Sequence, residues 1–178
     1  LYRSRLLEKL GYYTAALQSY DYLETLVRQN WASYQNDSVI GDFVIKPERF
    51  MIARGNIYDQ LRQPQRALEE YKKALARDRN AVKVGIKVFE IYIQTGDYQQ
   101  AELLLTDFAK QEDYDNYLSQ LAIALCVKTR DADMPIRLWK NFRKQNPMST
   151  VFAFALADAA DAIQAWPQEK TILSDILL

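Results

Sequence analysis

Few residues in this chain have the type and spacing to do chemistry. The sequence contains no histidine, which removes the commonest general base, the usual partner of a catalytic nucleophile and a frequent metal ligand. Cys126 is the single thiol, so an internal disulfide is excluded. Asp158 and Asp161 are three residues apart, a spacing that puts both carboxylates on one helix face. Such a pair on a helical exterior reads as a solvated face rather than an acid pair. Neither a Gly-rich phosphate loop nor a carboxylate run with EF-hand spacing occurs. These residues point away from an enzyme, and no cofactor or metal is expected.

The composition describes what must position any binding residues. The 178 residues include 23 Lys plus Arg against 23 Asp plus Glu, so no global field draws the chain toward nucleic acid or an acidic membrane. Only five Gly and five Pro, beside abundant Leu, Ala, Tyr and Gln, indicate helices with short connections. No run approaches the roughly 18 apolar residues of a membrane span, and neither a signal peptide nor a lipidation motif is present. The chain begins at Leu1, already in helical pattern, and reads as a fragment of a larger protein. The expected setting is a soluble domain, cytoplasmic or periplasmic, since one cysteine does not choose between compartments.

The stretch from Pro47 to Asn80 organises the rest. It reads as two amphipathic helices joined by a turn at Arg62, Gln63 and Pro64. Gly55 on the first helix and Ala67 on the second are small enough for two backbones to approach, with Tyr58 and Tyr71 filling the space beside them. With Ala74, these residues resemble the signature of the tetratricopeptide repeat: a small residue, an aromatic three later, then Ala-x3-aromatic-x2-Ala. Met51, Arg54 and Arg79 stand where the family carries Trp, Leu and Pro.

The period of about 34 residues extends the resemblance. It carries Ala67 to Ala101, where Gly96 ends one helix and Asp97 caps the next, and then to Pro135, followed by Trp139, Phe142 and Pro147. Pro135 falls in the first turn of its helix, where proline is tolerated. Cys126 then takes the core place of Tyr58 in its repeat. Upstream, Gly11–Ala16 superimposes on Gly96–Ala101, followed by Tyr20 and Leu23. The resemblance implies an all-α right-handed superhelix of antiparallel helix pairs, a single array over 1–178. Its pairs span about 1–29, 48–79, 82–111, 115–146 and 149–178. Within them the helices after the first pair run about 48–61, 65–78, 82–95, 98–110, 115–129, 133–145, 149–164 and 168–177.

From Ala16 to Ala67 is a step of 51 residues, one repeat plus 17, and the excess falls at about 30–47. Asn36, Asp37, Ser38, Gly41 and Asp42 supply turn chemistry, and Val39, Ile40, Phe43, Val44 and Ile45 are β-prone. The segment is expected to be an extended connection or lengthened helix packed on the array; the alternative is a loop that lines or gates a groove. At the other end, Ile176, Leu177 and Leu178 leave an apolar edge that would suit a continuing parent chain or a second copy.

The resemblance also implies a concave surface lined by the first helices of the pairs. Its ligand-facing places are Arg49, Ile52, Ala53, Asn56 and Gln60, then Lys83, Ile86, Lys87, Glu90 and Gln94, then Tyr117, Gln120, Leu121, Ala124 and Lys128. Arg49, Asn56, Lys83 and Lys87 would form a cationic and amide patch, with Ile52, Tyr117 and Leu121 adding apolar contact; this mixture suits an acidic peptide. Tyr34, Tyr114 and Tyr117 are further interface candidates. Lys83 and Lys87 also match the last basic pair of the co-chaperone carboxylate clamp, but Ala53 replaces that clamp's middle Asn. RNA binding, as in the similar pentatricopeptide repeats, is disfavoured by the neutral balance. The expected function is a protein-interaction scaffold within a multiprotein assembly. The alternatives are a self-association module, including a homodimer through the C-terminal edge, and a helper domain of a larger enzyme or secretion or envelope-assembly protein.

Overall fold

The computed structural model describes residues 1–34, 36–37, 40–78, 81–144 and 150–176. The described elements are α1 (Tyr2–Lys9), α2 (Tyr13–Gln29), α3 (Trp31–Tyr34), α4 (Gly41–Ile45), α5 (Glu48–Gln60), α6 (Pro64–Arg77), α7 (Val82–Thr95) and α8 (Tyr98–Phe108). A 3₁₀ turn (Glu112–Tyr114) leads into α9 (Asp115–Thr129), α10 (Met134–Arg143), α11 (Thr150–Ala162) and α12 (Trp166–Ile176). Among the described residues there is no strand, and the fold is all-α, a succession of helix pairs as the repeat implies. The chain divides into two compact units, Leu1–Val88 and Phe89–Leu178.

The turns repeat more regularly than the residue types do. Gly11, Arg62, Gly96, Arg130 and Gln164 all have left-handed backbone, with φ of +79°, +55°, +77°, +52° and +59°. From Arg62 onward they recur every 34 residues, and Gly11 precedes Arg62 by the same 51 that separates Ala16 from Ala67. At four of these turns the following amide reaches back five residues: Tyr12 to Leu7 at 2.9 Å, Gln63 to Tyr58 at 2.9 Å, Asp97 to Tyr92 at 2.9 Å and Ala165 to Ala160 at 2.8 Å. This is the Schellman closure, which satisfies carbonyls that a helix end would otherwise leave open. The Arg130 turn uses a shorter closure, from its own amide to the Cys126 carbonyl at 2.9 Å. Asp97 occupies the N-cap position of α8 but makes no side-chain capping bond, contrary to expectation. Its φ of −83° and ψ of 62° lie outside the extended region from which a capping carboxylate reaches the first turn.

In the first unit, Ala16, Tyr20, Leu23 and Val27 of α2 pack with Phe50 and Ile57 of α5. The segment after α2 completes this core. Its described residues form two short helices rather than the β-prone or extended conformation their types suggest. Phe43 of α4 is 5 % exposed, and its ring lies 4.7 Å from that of Phe50. Burial of one aromatic side chain overrides the weak local preference. Residues 35, 38 and 39 lie outside the described residues.

The place where the family carries Leu is occupied by Arg54, and the structure supplies it with anions. Its guanidinium donates to Glu24 at 2.5 Å, to Glu70 at 2.8 Å and to Asp21 at 3.3 Å, joining α5 to α2 and α6. Burial alone would raise the Glu24 pKa, but Arg54 and then Arg28 more than offset it and hold this carboxyl below its ordinary range.

In the second unit, α11 is rich in alanine. Ala153, Ala155, Ala157, Ala159 and Ala160 are buried, allowing close approach to neighbouring helices. Ala101, Leu105, Leu118, Leu125, Cys126, Trp139 and Phe142 complete the core. Tyr114, an interface candidate by sequence, belongs to this core instead: it is fully buried with its ring stacked 3.9 Å from Phe108. Pro167 lies inside the first turn of α12 rather than before the helix, a place where a missing amide hydrogen costs nothing. The expectations for Arg79, Pro147, Leu177 and Leu178 fall outside the described residues.

Candidate partner-binding site

The first unit carries a concavity built from four helices. Arg5 and Glu8 of α1, Tyr20 of α2, Phe43 of α4, and Arg49, Ile52, Ala53 and Asn56 of α5 line a pocket of about 240 Å³. A second pocket of about 440 Å³ shares Arg5, Glu8 and Asn56 and adds Lys9, Tyr13 and Gln60. Three of the predicted site residues, Arg49, Ile52 and Asn56, therefore line one surface. They meet because 49, 52 and 56 are spaced three and four apart on α5.

The polar groups here are oriented by their neighbours. Asn56 Oδ1 accepts a hydrogen bond from the Tyr71 hydroxyl at 2.7 Å, which leaves the two donors of its amide for other partners. Arg49 Nη1 pairs with Asp42 Oδ2 at 2.5 Å. The Arg5 guanidinium lies over the Phe43 ring, 5.9 Å from its centroid. The Tyr20 hydroxyl donates to Glu8 Oε2 at 3.1 Å, and burial, followed by the Glu8 charge, pushes its pKa well above the ordinary tyrosine value. Guanidinium, amide and apolar surface in one concavity can hold a carboxylate beside a hydrophobic side chain.

Arg5 and Lys9 join this surface although the repeat places named from sequence do not include them. Their signal is the 51-residue offset that relates Ala16 to Ala67, which carries Asn56 to Arg5 and Gln60 to Lys9. Lys83 and Lys87 are exposed one turn apart on α7 of the same unit, among residues other than those that line these pockets.

In the second unit Glu90 and Gln120 are exposed and Tyr117 is half-buried. Leu121, expected to offer apolar contact, is 5 % exposed and packs inside. One further period from Tyr117, Gln120 and Ala124 reaches Val151, Phe154 and Asp158, which are exposed on α11; Ser119 and Asp158 join α9 to α11 at 2.9 Å. These three continue the series one repeat beyond the places predicted from sequence, and the same period marks them.

Cys126 is fully buried, and burial, followed by the negative charges of Asp131 and Glu102, pushes its thiol up to about 12. Among the described residues no cluster of His, Cys, Asp or Glu could hold a metal ion, and no helix is long and apolar enough to cross a membrane.

No curated protein matches this chain in sequence. Residues 60–122 match the family model for the tetratricopeptide repeat, a family whose repeats generally mediate protein–protein interactions. The match begins beside the Arg62 turn and ends within α9, taking in the spacing between the Arg62 and Gly96 turns. Residues 60–122 therefore carry tetratricopeptide-repeat sequence, set within an all-α succession of helix pairs.

Proposed function

We propose that this chain is a non-catalytic scaffold that holds an acidic peptide or protein segment in the groove of its first unit, as part of a larger assembly. The observation that carries this reading is the convergence of Arg5, Arg49 and Asn56 around the apolar Phe43 and Ile52. A carboxylate finds charge-assisted donors there, and a neighbouring hydrophobic side chain finds a partly desolvated floor. Lys83 and Lys87 add positive charge to the same unit, which favours capture of an acidic segment. Glu90, Tyr117 and Gln120 are proposed as partner contacts on the second unit in its own right.

The test is affinity capture from a source lysate by the chain and by its Lys83→Glu/Lys87→Glu and Arg5→Gln/Arg49→Gln variants, with circular dichroism on each. A partner lost from both charge variants at unchanged helicity supports the reading. Retention of the same partner by both variants removes the cationic groove as its binding site.

A further inference from the structure

The groove of the first unit contains a candidate competitor for its own ligand. Arg49, at the pocket wall, is paired with Asp42, which belongs to the five-residue helix α4 in the segment that interrupts the repeat period. The pair is superficial, with side-chain exposures of 38 % for Arg49 and 66 % for Asp42, so it can exchange with another carboxylate at little cost. What keeps Asp42 in place is its neighbour. Phe43 is buried against Phe50 and beneath Arg5, anchoring α4 whether or not the ion pair is made. The anchor holds the Asp42 carboxylate at high effective concentration beside Arg49.

We infer that Asp42 is an intramolecular competitor at Arg49, setting the affinity threshold for acidic partners of the groove. The inference rests on the groove reading above. An incoming carboxylate displaces Asp42 from Arg49 while Phe43 stays seated, so the core of the unit is unchanged by binding. An acidic segment with one carboxylate at this place must outcompete Asp42, whereas one with several gains from Arg5 and Lys9 as well.

A fluorescein-labelled hexaglutamate peptide, followed by anisotropy at low ionic strength, tests this against four forms of the chain: wild type, Asp42→Asn, Arg49→Gln and the double variant. Asp42→Asn is expected to bind about two- to fivefold tighter than wild type, the range set by an exposed ion pair. Arg49→Gln is expected to bind more weakly, with the double variant matching it. If Asp42→Asn binds like wild type while Arg49→Gln is weakened, the competitor is overturned and the groove reading stands. A gain that persists in the Arg49→Gln background identifies long-range charge and also overturns it. If Arg49→Gln binds like wild type, or no form binds, the groove reading fails and the inference with it. Circular dichroism is expected to be the same for all four, because Phe43 and not Asp42 anchors α4.

Discussion

Gly55 faces the ring of Tyr71 so closely that a Cβ at this position would lie 2.5 Å from Tyr71 Cε1 and 2.7 Å from Cδ1. The ring cannot readily yield, since Tyr71 is 1 % exposed and its hydroxyl is held by Asn56. Gly55→Ala is therefore expected to destabilise the first unit by about 1–3 kcal/mol, despite the better helix propensity of alanine. A urea titration followed by circular dichroism measures it, and a midpoint equal to wild type would contradict this packing.

The left-handed turns make an opposite prediction for the residues that share one backbone shape. Arg62 and Gln164 hold positive φ with a Cβ, whereas Gly96 does so without one and has only open space where a Cβ would stand. Replacing Arg62 or Gln164 with glycine should stabilise by up to about 1 kcal/mol, and Gly96→Ala should destabilise by about the same amount. Thermal melts of the three variants read the sign directly. Destabilisation by both glycine substitutions would show that the side chains at 62 and 164 contribute more than the strain they impose.

Arg54 makes a pH-dependent contribution. Its removal in Arg54→Ala leaves Glu24 and Glu70 close together with much of their surface buried, a loss expected to be about 2–4 kcal/mol. Arg54→Met fills the volume and should recover part of it. Because Glu24 is held below its ordinary pKa when folded, the unfolded chain binds more protons around pH 4 to 5. The Glu24 contribution is full above the ordinary carboxylate range and is lost as pH falls through the folded pKa. Urea midpoints from about pH 7 down to about pH 3 should fall less steeply in Arg54→Met than in wild type. Parallel slopes would mean that the pairing has no net effect on Glu24.

The thiol of Cys126 offers a check on the second unit. With the side chain fully buried and its pKa pushed up to about 12, little thiolate exists at pH 8 and none of the side chain is exposed to solvent. Labelling by a disulfide reagent should be slow in native buffer and rise steeply only through the unfolding transition. Fast native labelling would place α9 in a different orientation.

Much of the fold is legible in the sequence because a repeat states its packing rule several times. Ala16, Ala67 and Ala101, small at the places where helices cross, are all fully buried, and Tyr20 and Tyr71, four residues after the first two, are buried with them. Gly11 and Gly96 mark two of the turns by residue type. The turn at Arg62 is marked by the Pro64 that follows it and those at Arg130 and Gln164 by period, because none of the three residues carries a left-handed preference. For the candidate site, the sequence is informative along α5 and, through the 51-residue offset, along α1. The three- and four-residue spacing of Arg49, Ile52 and Asn56 determines that they share a face of α5.

What faces them depends on contacts between residues far apart in the chain, which no local spacing encodes. Tertiary structure alone decided that β-prone Phe43 would sit on a helix, buried against Phe50, and thereby bring Asp42 to Arg49. It also decided that Arg54, in a place where the family carries Leu, would gather Glu24 and Glu70 from two other helices. The physical reason is common to both. Residue type sets which groups must be buried or paired, while the partner that satisfies them is chosen by the packing of the whole unit.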